Sequence, residues 1–263
     1  MNAISLSPLD LAIAASLVAF DALISVALRL RLHRQVLIAA ARMVVQLVAI
    51  GYLLRLVFAL RHPAATLALV LVMAAIAARE IAARPERKLG QGWGLLLSAG
   101  SVMIATTVTV VLALATAIRP HPWYDARYAV TLAGIILGSV LNSGSLSLDS
   151  LLSAVGLQRP AIEAQLALGR SFREAMAPLV RDAIRRGLLP MINQMSAAGV
   201  ITLPGIMTGQ ILAGQDPVEA VKYQILLMFL LAGASGLSAL IITYGAAHRL
   251  TDERQRLRLD RLT

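Results

Sequence analysis

The sequence predicts an all-α integral membrane protein, on three observations. Hydrophobic residues fill 58% of the 263 positions and charged residues only 14%, with a mean hydropathy of +0.76. A water-soluble domain of this size carries about 45–50% apolar and about 25% charged residues. Several apolar runs reach the roughly 20 residues that a bilayer-crossing helix needs. Between those runs, segments rich in Lys and Arg alternate with segments poor in them.

Seven spans follow in order. The first covers residues 9–28, with Asp10 at its start and Asp21 inside, and the basic "RLRLHR" (29–34) follows. The second covers 36–60 and contains Arg42, Gln46 and Arg55, before the short "RHP" turn (61–63). The third, 64–78, is the shortest, and the Pro-broken "REIAARPERKLG" (79–90) comes after it. The fourth covers 93–118 and ends in "RPHPWYDAR" (119–127). The fifth covers 128–152. A long polar segment, 156–187, separates it from the sixth, 188–213. The seventh covers 218–247, and the charged tail is "HRLTDERQRLRLDRLT".

Charge sets the expected orientation. The net charge is +10, which in a membrane protein marks cytoplasmic loops rather than a nucleic-acid partner. Lys and Arg cluster at 29–34, 79–88, 159–186 and in the tail, and are sparse at 61–63, 119–127 and 214–217. The N-terminus is therefore expected outside and the C-terminus in the cytoplasm, with Trp123 and Tyr124 in the outer interfacial belt. The first apolar run follows an acidic rather than a basic stretch, so no cleavable signal peptide is expected. The absence of Cys excludes disulfides, thiolate metal sites and cysteine nucleophiles.

Some residues are costly in lipid. A charge at the bilayer centre costs about 2.5–3.5 kcal/mol on insertion scales, so it faces the bundle or snorkels to the surface. Arg55 lies near the outer end of its span and is expected to snorkel. Asp21 and Arg42 either pair and tie the first two helices together or line a substrate path with Gln46. The fifth and sixth spans carry Ser139, Asn142, Ser143 and Ser145, then Asn193, Gln194 and Ser196. Such groups bond their own backbone or a neighbouring helix, and a polar cluster shared by two helices is also what a hydrophilic path requires.

Small residues recur at four-residue spacing in Gly134–Gly138 and in Gly205–Gly209–Ala213. This pattern lets helix backbones approach closely, within the bundle or across a dimer. Pro204 interrupts an otherwise apolar run in "ITLPGIMTGQILAGQDP" (201–217). It is expected to kink the sixth helix near the external gate, with Met207 and Gln210 lining the path. Pro217 is placed to start the seventh helix.

The polar segment "GLQRPAIEAQLALGRSFREAMAPLVRDAIRRG" (156–187) reads as two cytoplasmic helices. Pro160 suits the first turn of a short one at 161–168, and Gly169 suits its stop. A second run, 172–186, carries Phe172, Met176, Leu179 and Ile184 near one face. The element is either an amphipathic surface helix or a docking element for a cytoplasmic partner.

"EAQLALG" (163–169) resembles the coupling loop of ABC-transporter permeases, in which Glu and Ala precede a Gly and the helix seats in a cleft of the ATPase subunit. Here Gln165 stands where a second Ala is expected. "AGVITLPGIMTGQILAGQDPVEAVKYQILLMFLL" (198–231), "ARMVVQLVAIGYLL" (41–54) and "RDAIRRGLLP" (181–190) are similar to the FetB family of permeases, described as iron-export or metal-resistance subunits, and to plant aluminium-tolerance membrane subunits. The fifth span departs from that family's pattern: "GSVLNSG" (138–144) has Ser139 and Leu141 where the resemblance implies Asn and Met, a departure that bears on the substrate.

The resemblance implies a permease subunit in the bacterial inner membrane that exports iron or another metal ion. It implies a homodimer above two copies of a separate FetA-like ATPase, which would hold the ATP and Mg. The chain itself has no GxxxxGK[ST] phosphate loop, so it is not expected to be an enzyme or to hold a cofactor. The implied coupling residues are Glu163, Ala164, Leu168, Gly169, Arg170 and Arg173. The path candidates are Asp21, Arg42, Gln46, Asn142, Asn193, Met207 and Gln210, and the packing or gate residues are Pro204, Gly205 and Gly209. No metal ligand set can be assigned from the residues. A small organic or sugar-nucleotide solute, an ion-coupled secondary transporter using Asp21, and a non-transporting scaffold are the alternatives.

Overall fold

Apolar runs of this length satisfy their own backbone only as helices, and a computed structural model of the chain bears this out. It describes residues 7–60, 62–90, 92–118 and 125–262. The elements are α1 (Pro8–Ala27), α2 (His33–Leu60), α3 (Pro63–Ala83), α4 (Trp93–Leu112), α5 (Ala126–Leu157), α6 (Arg159–Ala167), α7 (Phe172–Ala197), α8 (Gly205–Leu212) and α9 (Pro217–Arg249). A π-helical turn, Ala113–Ile118, extends α4. Trp123 and Tyr124 lie outside the described residues.

Short polar side chains start these helices by taking up orphan backbone N–H groups. Ser7 and Asp10 form a reciprocal cap on α1, and Ser171 with Glu174 does the same on α7. The Asp125 and Asp216 carboxylates accept from Arg127 N at 2.9 Å and Val218 N at 2.9 Å at the starts of α5 and α9.

The chain divides into two compact units. In one, α1 packs on α2, Ala22 and Ser25 are buried, and the Ser25 hydroxyl accepts the Leu32 N–H at 3.0 Å. The other unit is a bundle around α5, which packs against α3, α4, α7 and α9. Its core includes Ile81, Ile136, Leu148, Leu151, Leu152 and Ile242, all fully buried.

Among the described residues, six helices are long and apolar enough to cross a membrane, not seven. They are α1, α2, α3, α4 with its π turn, α5 and α9. The sixth span expected at 188–213 is not one helix. Its first part is the end of α7, which is continuous with the expected cytoplasmic run 172–186. That helix carries Arg173, Glu174, Arg181, Asp182, Arg185 and Arg186, too many charges for an apolar crossing.

Pro204 does not kink a helix here. The helix has already stopped at Ala197, followed by extended Ala198 and by Gly199 at φ +82. The Ala197 carbonyl takes the N–H groups of Ile201 at 3.0 Å and Thr202 at 3.1 Å, closing a tight turn. Pro204 then precedes α8, where its carbonyl accepts the Thr208 N–H at 3.0 Å. Only a residue such as Gly adopts the left-handed backbone at position 199 without strain, so the break belongs to Gly199 before Pro204.

The charged tail folds back on the bundle. Leu89 bridges to Leu262 and Thr251 to Leu257, and Gly90 N donates to the Arg261 carbonyl at 2.8 Å. Gln255 Oε1 accepts the Phe172 N–H at 2.9 Å. The tail therefore touches the α3–α4 loop, the end of α9 and the start of α7.

Candidate functional site

A buried hydroxyl in an apolar bundle needs a partner, and Ser139 and Ser143 of α5 find theirs on α9, while Ser145 bonds the Leu141 carbonyl of its own helix at 2.6 Å. The Ser139 and Ser235 hydroxyls share a hydrogen bond at 2.7 Å. The Ser143 hydroxyl donates to the Ser235 carbonyl at 2.9 Å. The Ser238 hydroxyl pairs with that of Ser101 on α4 at 3.0 Å and donates to the Val140 carbonyl at 3.3 Å. These bonds lock α4, α9 and α5 together.

On the other side of α5 the small residue is Gly187 of α7. A Cβ there would collide with the Ser147 hydroxyl and lie 2.8 Å from the Ser143 carbonyl oxygen. That close approach brings α7 against α5 beside a cavity of about 230 Å³. Ser139, Asn142 and Ser143 of α5, Met191 and Gln194 of α7 and Ser235 of α9 line it. Pro190 also lines it; it has no N–H for the carbonyl four residues back.

At the edge of this site stands Arg84, at the end of α3. Its Nη1 lies 3.5 Å from Asn142 Oδ1 and 3.4 Å from the Ser145 hydroxyl, and its Nε lies 3.9 Å from Glu80 Oε2. The lining thus offers neutral hydroxyl and amide oxygens, one thioether and a nearby guanidinium, and no carboxylate. Neutral oxygens can replace part of a solute's hydration shell without trapping it, which is what passage requires. Among the described residues no three His, Asp or Glu side chains gather to hold a metal ion.

The second feature is an elbow at one end of the bundle. Pro160 opens α6, and Arg159 Nε bonds Glu163 Oε1 at 2.8 Å along it. Gly169 ends it at φ +87, donating to the Leu166 carbonyl at 3.0 Å. Ile162 is buried and anchors the helix, while Leu168 is 84% exposed at the tip. Glu163, Ala164, Gly169, Arg170 and Arg173 are exposed with it. Arg170 Nη1 donates to Gln165 Oε1 at 3.2 Å. The Ser171 hydroxyl and then its N–H donate to the Glu174 carboxylate, which holds that carboxyl below its ordinary pKa.

The expected path residues are divided. Asn142 lines the cavity. Asn193 is not among the lining residues, while its neighbour Gln194, equally exposed, lines the site instead. Met207 and Gln210 lie half-buried on α8, and the Gln210 Oε1 atom is buried with no partner among the described residues. Asp21, Arg42 and Gln46 lie exposed on α1 and α2. Gly205 and Gly209 meet nothing within 4 Å, so they serve no close packing inside this chain, and Ala213 lies beyond the end of α8. The close approaches among the described residues are at Gly144, Gly156, Gly187 and Gly245, and an added Cβ at Gly134 would lie 3.2 Å from Met73 Cε. Gly187 and Arg84 were not legible as site residues. Gly187 belongs to a charged stretch, and its only sequence signal is its place three residues before Pro190.

Comparison with known proteins follows the same span of chain. The family described as "Uncharacterised protein family (UPF0014)" matches residues 8–251. A UPF0014 membrane protein of Synechocystis sp. is 40% identical over 87% of each chain. The Escherichia coli protein described as "Probable iron export permease protein FetB" is 31% identical over 98% of this chain and 97% of its own. The Arabidopsis thaliana protein named "ALUMINUM SENSITIVE 3" is 27% identical over 84% of this chain and 79% of its own. No solved structure matches the chain.

Proposed function

The chain is a member of the UPF0014 family of membrane proteins, and from that premise we propose that it is the membrane-spanning permease subunit of an ABC transporter. On this reading it exports iron or another metal ion from a bacterial cell across the inner membrane. The work is done by two copies of this chain above two copies of a separate ATPase that binds ATP and Mg. The observation that carries the reading is the elbow from α6 to Ser171. It is held by Gly169 at φ +87, anchored by buried Ile162 and tipped by Leu168 at 84% exposure. Such a rigid, mostly exposed helix end fits a cleft in a partner. Arg170 and Arg173 at its rim set partner choice and association rate more than raw affinity. The near full-length likeness to the protein described as a probable iron export permease supports the cargo.

Closure of the ATPases pushes on the elbow, and α7, which follows it directly, carries the push to Met191 and Gln194 in the cavity. Asn142 and Gln194 then touch the passing solute. Asn193, Met207 and Gln210 extend the path, and the Pro204–Gly205 joint with Gly209 works at the outer gate. The N-terminus lies outside and the tail in the cytoplasm, as the distribution of Lys and Arg favours. This orientation takes a seventh crossing between α5 and α9, made by the more polar α7, which packs against both, together with α8.

The experiment replaces Glu163 by Ala or Gly169 by Val, then measures co-purification of the ATPase and metal efflux from the cell. Lost association and lost efflux with normal membrane insertion are expected. Efflux that survives in both variants overturns the reading. One observation favours a second cargo: the cavity lining holds no carboxylate, which suits a small organic or sugar-nucleotide solute better than a bare cation. Stimulation of ATP hydrolysis in the purified complex by that solute and not by metal ions would decide for it.

A further inference from the structure

A pocket of about 510 Å³ lies between the first turns of α7 and the end of α9. Its floor is apolar, built from buried Phe172, Met176, Val180 and Ala247. Arg173 and Arg181, two turns apart on α7, line one side, and Tyr244 of α9 lines the other. We propose that it binds an anionic phospholipid, whose phosphate lies between the two arginines and whose acyl chain leaves along α9.

The charge in this pocket is free. Arg173 and Arg181 are exposed, and among the described residues neither has a hydrogen bond or an ion pair. The nearby carboxylates are committed elsewhere. Asp182, next to Arg181 in the chain, pairs with Arg186 at 2.8 Å. Glu174, next to Arg173, is outside the lining and caps α7, accepting the Ser171 N–H at 2.9 Å and its hydroxyl at 2.7 Å. Asp252, the one carboxylate on the lining, pairs with Arg256 at 2.7 Å and Arg258 at 3.8 Å. The lining therefore carries two arginines without a counter-ion.

The depth of the pocket suits a headgroup. Between Lys222 and His248, α9 carries no charged residue, and an exposed tyrosine stands near each end of that run, Tyr223 and Tyr244. From one to the other is about 31 Å along a helix, against a hydrocarbon core of about 30 Å. Tyrosines mark the two headgroup levels, so Tyr244 sets the pocket at one of them. Leu240, one turn before Tyr244, and Phe229 are exposed on the same side of α9, where an acyl chain can lie. Basic pockets between membrane helices take phosphate headgroups, and arginine forks suit phosphate oxygens. Inorganic phosphate from the water has the same chemistry at the arginines, but the apolar floor gives it nothing, whereas a lipid covers both.

The test puts a reporter in the pocket. The full-length protein carries Tyr244→Trp, with Trp93→Phe and Trp123→Phe to remove its two own tryptophans. It is placed in phosphatidylcholine vesicles that hold either brominated phosphatidylglycerol or brominated phosphatidylcholine at the same fraction. Stronger quenching by the phosphatidylglycerol is expected. Arg181→Gln should lower that preference about fivefold, the ratio for one basic group near a charged surface, while Arg181→Lys retains most of it and controls for folding. Arg185→Gln, at an exposed position of the same helix outside the lining, should leave it nearly unchanged. Equal quenching by the two lipids overturns the lipid site. Equal losses in Arg181→Gln and Arg185→Gln overturn the pocket in favour of general surface charge. A reporter response to inorganic phosphate in pure phosphatidylcholine, with equal lipid quenching, overturns the lipid and assigns the arginines to soluble phosphate.

Discussion

Gly187 of α7 stands against the Ser143 carbonyl of α5 so closely that a Cβ added to it would lie 2.8 Å from that oxygen. A backbone carbonyl inside a helix cannot swing aside, so the contact requires glycine. It also decides how near Gln194 and Met191, further along the same helix, come to Asn142.

Gly187→Ala is therefore expected to destabilise the bundle by about 1–3 kcal/mol, the usual cost of overpacking. Thermal unfolding in detergent checks it. Gly138→Ala is the control: its Cβ would meet nothing within 4 Å. Relief of glycine's helix penalty there should hold or raise stability, by up to ~1 kcal/mol.

The Ser139–Ser235 bond at 2.7 Å joins two membrane helices. A double-mutant cycle with Ser139→Ala and Ser235→Ala should give a coupling energy of about 0.6 kcal/mol, typical of such bonds in lipid. A coupling near zero would mean that the hydroxyls serve the cavity rather than the packing.

On the permease reading, Gln194→Leu keeps insertion and folding intact. It should lower transport about tenfold, which is what ~1.4 kcal/mol of lost contact amounts to. Asn193→Leu, at a neighbouring position outside the cavity lining, should lower it less. Flux measurements in reconstituted vesicles separate the two.

Gln255 caps an otherwise unpaired donor at the first turn of α7, the Phe172 N–H, at 2.9 Å. Gln255→Ala should speed hydrogen exchange at Phe172 by about two- to tenfold, matching a bond of ~0.5–1.5 kcal/mol. The Glu174 amide, bonded to the Ser171 hydroxyl at 3.3 Å, should change little.

Acid should release the tail. The Arg256 N–H and then its guanidinium hold Asp252 down to a pKa of about 2, from an ordinary 3.8. The Arg258 side chain does the same for Asp260, also to about 2. A carboxyl depressed in the folded state stabilises it fully above the ordinary pKa and loses that contribution as pH falls through the depressed one. The tail should stay docked at neutral pH and loosen as pH drops from about 4 towards about 2. Asp252→Asn should be looser than wild type at neutral pH. Cleavage of the tail by an acid-active protease at stepped pH between about 4 and about 2 reads the acid release, and cleavage after the tail arginines at neutral pH reads Asp252→Asn against wild type.

Residue type and order were enough to determine the membrane class and the helical runs. Lipid offers a backbone no hydrogen bonds, so each long apolar stretch, such as Pro8–Ala27 or Pro217–Arg249, must be a helix. They also determined the α6 stop at Gly169, because a left-handed residue after a short helix is a local requirement. Asn142, which lines the cavity, was legible as a candidate because a polar amide in an apolar run stands out.

Tertiary structure alone decided what touches what. Gln194 rather than Asn193 reaches the cavity because the pitch of α7 turns adjacent residues about 100° apart. Gly187 became the close contact, and Gly205 and Gly209 did not, because glycine spacing alone cannot say which surfaces meet. The break at 198–204 followed from the turn at Gly199, although Pro204 was the stronger local signal. The tail reads in the sequence only as charged and cytoplasmic, but long-range pairing to Gly90 and Phe172 binds it to the bundle. Such pairings join residues far apart along the chain, and no local pattern in the sequence records them.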